Sequence, residues 1–243
     1  MLAIIAAVAL ERILLPVVIR QPVEGAFGSR WETVLTIRNA SDEPLVYFPA
    51  DCPVMPPVPE KFCLQNIRPT IPPNTTMRID PLNGGPLFFN VEKPLLDRTF
   101  LQLRVRDTSR AAESFGTEIP VVRVADMLTR DGQILDIPQD PRFRLMFRLY
   151  TDIVSVRSQI RVRFVNERSD RNQELVFTIP PHPGTGPGGP EAITSPGLYR
   201  EIAIQNAGTI RIEIEPLDAD VRYWAFVSVT NNDTQQITTL TVH

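Results

Sequence analysis

The sequence predicts an all-β chain built from antiparallel sandwiches, and three observations predict it. Apolar and polar residues alternate with a period of two wherever a pattern can be read. Proline is dense, 24 residues against 12 glycines in a chain of 243, and its spread leaves few windows in which a long helix could run. Clusters of Asn, Asp, Ser, Gly and Pro fall between the alternating segments, where strands would turn.

The first ten residues, Met1 to Leu10, are apolar without a break. They are too short to span a bilayer, which takes about 20 residues. Residues 1–10 read instead as the remnant of an export signal, with Ala7-Val8-Ala9 as a small-x-small cleavage site. The competing reading makes them the approach to a first strand over Ile13–Ile19.

Strand signals follow in order. Thr33–Asn39 and Leu45–Phe48 flank the turn Ala40-Ser-Asp-Glu-Pro44. Leu101, Leu103 and Val105 alternate with Gln102, Arg104 and Arg106, and a last strand of this half lies near Ile119–Val124. The best helical window is short, Val124 to Thr129. Phe143, Leu145, Phe147 and Leu149 then share one face, with Arg142, Arg144 and Arg148 opposite. Ile160, Val162 and Phe164 alternate with Arg161 and Arg163, and Ile210, Ile212 and Ile214 with Arg211, Glu213 and Glu215. Each pattern is that of a strand with one face on a core and one in water. Acidic residues number 28 against 25 basic, so the arginine rows are expected to form cross-strand ion pairs.

The halves run in parallel. Strand, Asn turn, strand and Pro over residues 33–49 recur over residues 160–180, each followed by a Pro-rich loop. That order predicts one sandwich over residues 11–125, a linker over 126–138 and a second sandwich over 139–243. In the late strand over Tyr223–Val229, which precedes a last strand near Gln236–Val242, Tyr223, Ala225 and Val227 face one way while Trp224 and Phe226 face the other, so one of these faces is expected to cover a contact between the halves.

Two runs carry a resemblance. Trp31-Glu-Thr-Val-Leu-Thr-Ile-Arg-Asn-Ala-Ser-Asp-Glu-Pro-Leu45 resembles the early strands of immunoglobulin-like modules in exported bacterial proteins. Tyr223-Trp-Ala-Phe-Val-Ser-Val-Thr-Asn-Asn-Asp-Thr234 is similar to the C-terminal hairpin of secreted bacterial proteins of that kind. The resemblance implies two tandem immunoglobulin-like sandwiches and an extracytoplasmic location: secreted, periplasmic or at the cell surface. It implies no catalytic residues.

Chemistry is sparse. Cys52 and Cys63 bracket a segment with four prolines between them, which cannot be helix or central strand. In an oxidising compartment they are expected to form a loop-closing disulfide, with two free thiols as the alternative. A triad needs a base beside a nucleophile, and the only histidines are His182, in a Pro- and Gly-rich loop, and His243, at a terminus expected to fray. No Gly-x-Ser-x-Gly elbow occurs, and Gly184–Gly189 lacks the Lys-Ser/Thr of a phosphate cradle. Asp126, Asp131, Asp136 and Asp140 fall near the linker, and Asp218 and Asp220 lie close together, but none follows a calcium-loop spacing. They read as turn carboxylates. The Asn39, Asn74 and Asn232 sequons read as exposed loop positions. No cofactor and no metal site is expected.

The net charge of −3 and a pI near 5.5 exclude a general nucleic-acid binder. What remains is a non-enzymatic structural, adhesive or protein-interaction module, with a protein or cell-envelope partner and loops and strand edges as working surfaces. His182 and Thr185 are its loop candidates. The alternative is a carbohydrate-binding accessory protein that stacks a glycan on Trp31 or Trp224. The sequence sets no oligomeric state.

Overall fold

The computed structural model describes residues 10–19, 21–49, 70–79, 85–110, 115–152, 157–166, 172–179, 193–194 and 209–243. Residues 1–9, Cys52 and Cys63, and His182 and Thr185 lie outside them, so the export segment, the disulfide and the loop candidates stay expectations.

The chain is all-β, and every strand pair among the described residues is antiparallel. The N-terminal half contains β1 (Leu10–Val18), β2 (Val23–Glu24), β3 (Arg30–Asn39), β4 (Leu45–Pro49), β5 (Thr70–Ile71), β6 (Thr76–Ile79), β7 (Gly85–Glu92), β8 (Thr99–Asp107), β9 (Thr117–Ile119) and β10 (Val122–Arg123). The C-terminal half contains β11 (Gly132–Pro138), β12 (Phe143–Thr151), β13 (Ser158–Asn166), β14 (Asn172–Ile179), β15 (Ile193–Thr194), β16 (Thr209–Pro216), β17 (Tyr223–Asn231) and β18 (Ile237–Thr241). The described strands form four sheets, ordered β10-β1-β7-β4-β5, β2-β3-β8-β9 with β6 also on β3, β11-β16-β13-β14, and β15-β12-β17-β18. No described ladder joins a strand of one half to a strand of the other. Among the described residues no helix is long and apolar enough to cross a membrane.

The predicted alternations become burial. Leu103 and Val105 of β8, Ile160, Val162 and Phe164 of β13, and Ile210, Ile212 and Ile214 of β16 are all buried. In the C-terminal half Phe147 of β12 meets Phe164 of β13 edge-on, with centroids 5.8 Å apart, so the two sheets pack face to face. In the N-terminal half Thr33 of β3 donates through Oγ1 to the carbonyl of Val17 at 3.1 Å and accepts from the amide of Ile19 at 3.0 Å. That joins its two layers.

Several expectations are corrected. Residues 132–138, read as the end of a linker, form β11. Gly132, Ile134 and Ile137 of that strand are buried and pair with β16. The pattern is masked in the sequence by a bulge, where Leu135 is exposed and Asp136 takes φ 57°. The helical window shrinks to a 3-10 turn over Val124–Asp126. Pro120 divides the last strand of the N-terminal half into β9 and β10, which join different sheets. The two halves also differ in connection: β3 and β4 belong to different sheets, whereas β13 and β14 form a hairpin.

Asn39 explains the first of these corners. It is 1% exposed, contrary to the loop position read for it. Its amide donates to the carbonyls of Glu43, Ile71 and Pro72, and its oxygen accepts from the Ser41 backbone and hydroxyl. Asn232 is half-buried and donates to the Pro141 carbonyl at 2.8 Å, and Asn74 is exposed with φ 54°. His243, expected to fray, is instead bonded into the fold. Its backbone exchanges two hydrogen bonds of 3.0 Å with Gln133, seating the end of the chain against β11.

Candidate functional site

The face of β17 that carries Trp224 is the inner wall of a junction between the halves. Register places Tyr150 beside Trp224 and Arg148 beside Phe226 on this face. Tyr150 lies parallel to Phe226 at 6.3 Å and stacks on Trp224 at 6.0 Å, and Trp224 and Phe226 are 5.2 Å apart. The Tyr150 hydroxyl donates to the Pro16 carbonyl of β1 at 2.7 Å, and burial pushes its pKa up to about 12. Arg12 and Asp152 pair across the same junction at 3.1 Å. The expected inter-half contact thus falls beside this face of β17, made by Tyr150 of the neighbouring β12, while Trp224 and Phe226 are buried next to it.

Arg144 and Arg148, read as members of a solvent row, are half-buried here. Arg144 donates to Gln235 at 2.8 Å and lies 5.3 Å from the ring of Phe27, which adopts φ 58° and is 65% exposed. Desolvation lowers the Arg144 pKa. The guanidinium nevertheless stays charged at any physiological pH.

A cleft of about 290 Å³ opens where the ends of β3, β8 and β9 meet the turn Asp233–Gln236. Trp31 lines it, half-buried, with its indole N–H donated to Ser29 at 2.9 Å. Two bonds cross between the halves at its rim: Arg110 donates to the Asp233 carbonyl at 3.0 Å, and Thr117 to the Ile237 carbonyl at 2.9 Å. Arg106 is bound to Glu32 at 2.5 Å. Asp107 accepts from the Arg30 amide and from the Ser109 amide and hydroxyl. Burial works to raise its pKa, but these donors and the Arg110 charge outweigh it and hold the carboxyl below its ordinary value. Asp107 is therefore an anion at neutral pH, suited to fixing backbone rather than to moving protons. Gly116 closes the wall with φ 94°, and a β-carbon there would stand 2.7 Å from the Val105 carbonyl.

The structure thus separates the two indoles that a glycan platform would use. Trp31 opens on the cleft, Trp224 is 7% exposed under Tyr150 and Phe226, and no ring contact joins them. The carboxylates near residues 126–140 are apart in role: Asp140 is held by Arg142 at 2.6 Å, while Asp136 sits in the β11 bulge. Asp218 accepts from the Gln159 amide at 2.6 Å. Among the described residues no three His, Cys, Asp or Glu side chains gather as metal ligands.

A second surface is the edge strand β14. It pairs with β13 without a register break from Val165↔Asn172 to Ser158↔Ile179, and no described strand pairs on its other side. Asn172, Glu174, Val176 and Thr178 point outward and are exposed, Val176 at 47%. Leu175 and Phe177 point inward and pack on the core. Glu174 is tied to Arg161 at 3.2 Å and to Arg163 at 3.3 Å, and both arginines also reach Glu215, at 2.8 and 2.7 Å. These are the expected cross-strand ion pairs. The alternation of Leu175 and Phe177 marked this strand in the sequence, but nothing in its composition marked it as an edge, since edges usually carry Lys, Pro or a bulge and β14 has none of these.

Set against known proteins, the chain matches no family model, and neither a curated protein nor a solved structure is significantly similar to it.

Proposed function

We propose that the chain is a non-enzymatic structural or protein-interaction module of two tandem immunoglobulin-like sandwiches, exported by a bacterium to its cell surface. The observation that carries this reading is the β14 edge: a regular strand of eight residues with Val176 exposed, no Lys, Pro or register break within it, and no described strand on its outer side. The rest of the molecule supports it. Tyr150, backed by the Trp224 and Phe226 rings, and the Arg12–Asp152 pair tie the halves together, and the cleft charges bind neighbouring protein groups instead of standing ready for a reactant. A sandwich pair fixed in this way presents its edges in a set orientation, as an adhesive or scaffolding module requires.

The test is labelling of intact cells of the encoding bacterium with a membrane-impermeant biotin reagent, followed by cross-linking in place. Labelled protein that cross-links into a larger species is expected. Protein recovered unlabelled from the cytosol would overturn the reading.

A further inference from the structure

We infer that β14 is a self-association edge, pairing antiparallel with β14 of a second copy of this chain. The inference rests on the reading of the molecule as a module that works through its strand edges, and it names the partner.

The argument is one of register. Two identical edge strands that continue a sheet are related by a two-fold axis perpendicular to it, and each choice of axis fixes which residues face each other. An axis at Glu174 sets two carboxylates directly opposite. An axis at Leu175 sets Glu174 against Val176. An axis at Val176 sets Val176 on its own mate and Glu174 on Thr178 on the outer face, with Leu175 on Phe177 on the inner face. Only this last register pairs every apolar residue of 174–178 with an apolar one and leaves no like charges opposed. The strand can use it, since the β13–β14 ladder runs unbroken through Val176. Glu174, already neutralised by Arg161 and Arg163, adds no repulsion at the seam. The four-stranded sheet β11-β16-β13-β14 would become one of eight strands across the axis. Strand-to-strand contact alone is small beside the standard interface of about 1,600 Å², so the association should depend on concentration.

Sedimentation velocity of the full chain over tenfold concentration steps, combined with hydrogen exchange of the β14 amides, tests this. Wild type is expected to move from monomer to dimer as β14 amides gain protection. Val176→Lys sets two ammonium groups opposite each other and should raise the dimer dissociation constant about tenfold or more. Val176→Thr, which keeps the branched shape, should preserve the dimer. Because Val176 is exposed, both variants should keep the wild-type circular dichroism. A chain that is monomeric at every concentration overturns the inference, whether its β14 amides exchange freely or are covered from within by another part of the same chain. A dimer undiminished in Val176→Lys overturns it as well. A monomer still labelled at the cell surface and cross-linked to a different protein would remove self-pairing and leave the proposed function standing; a cytosolic dimer would do the reverse.

Discussion

The hydroxyl of Tyr150 meets the carbonyl oxygen of Pro16 at 2.7 Å, joining β12 to a bulge in β1 across the junction of the two halves. The bulge is the reason the bond exists. Proline donates nothing to a ladder, and the register of β1 on β7 shifts between Leu15 and Val18. The Pro16 carbonyl is left to face the second half. Replacing Tyr150 by Phe keeps the ring stack and orphans that buried carbonyl, so a loss of about 1–3 kcal/mol is expected from urea unfolding midpoints. An unchanged midpoint would remove the bond from the account of the junction.

The same tyrosine should make the protein sensitive to alkali. Burial pushes Tyr150 up to about 12, and it pushes Tyr223 higher still. Both folded values lie above the ordinary 10.0, so the folded state holds its protons longer than the unfolded one. Their contribution is fully present below pH 10 and is lost as pH rises toward the folded values. Ultraviolet titration should show at least two tyrosines, Tyr150 and Tyr223, ionising late, together with unfolding. Four tyrosines titrating as one group near 10 would contradict it.

Gly132 begins β11 in a place where no side chain fits. A β-carbon there would stand 2.6 Å from the Tyr223 hydroxyl and 2.7 Å from Val242. Tyr223 cannot easily retreat, because that hydroxyl donates to the Arg130 carbonyl at 3.0 Å. Gly132→Ala should therefore cost about 1–3 kcal/mol by overpacking, read as a lowered thermal midpoint. Wild-type stability in this variant would show that the corner yields.

The ion ladder on the outer face of β13 and β16 gives the acid response its sign. Hydrogen bonds from Arg161, then the charges of Arg161 and Arg163, hold Glu215 below the ordinary glutamate value. Its contribution is present at neutral pH and is lost as pH falls through that lowered value. Glu215→Gln should flatten the acid limb of the stability profile, and added salt should shrink the difference from wild type. Parallel acid limbs for the two proteins would count against a stabilising role for this pair.

The strands were legible because burial of one face prints a period of two on the sequence, as in Ile160, Val162 and Phe164. What that period does not record is which sheet the next strand joins. Asn39 and Asn166 both end a strand before a polar turn, yet the chain changes sheets after the first and folds back after the second. The difference lies in side-chain hydrogen bonds from Asn39 to Ile71 and Pro72, which are distant in sequence. β11 escaped for a related reason, since its bulge breaks the alternation at Asp136. The apolar doubling of β17 was legible, and it located the junction. The cleft was not, because Arg110 and Asp233 are brought together only by the way the halves meet.

Trp224 gives the junction its own optical signal. The chain has two indoles, and this one is enclosed by Tyr150 and Phe226, with Tyr150 bound in turn to the opposite half. Substituting Trp31 by Phe would leave a single-indole protein whose emission colour reports on that enclosure alone. Any event that parts the halves while the strands survive would redden the emission before circular dichroism changes, so the order of loss during unfolding can be timed without an added label.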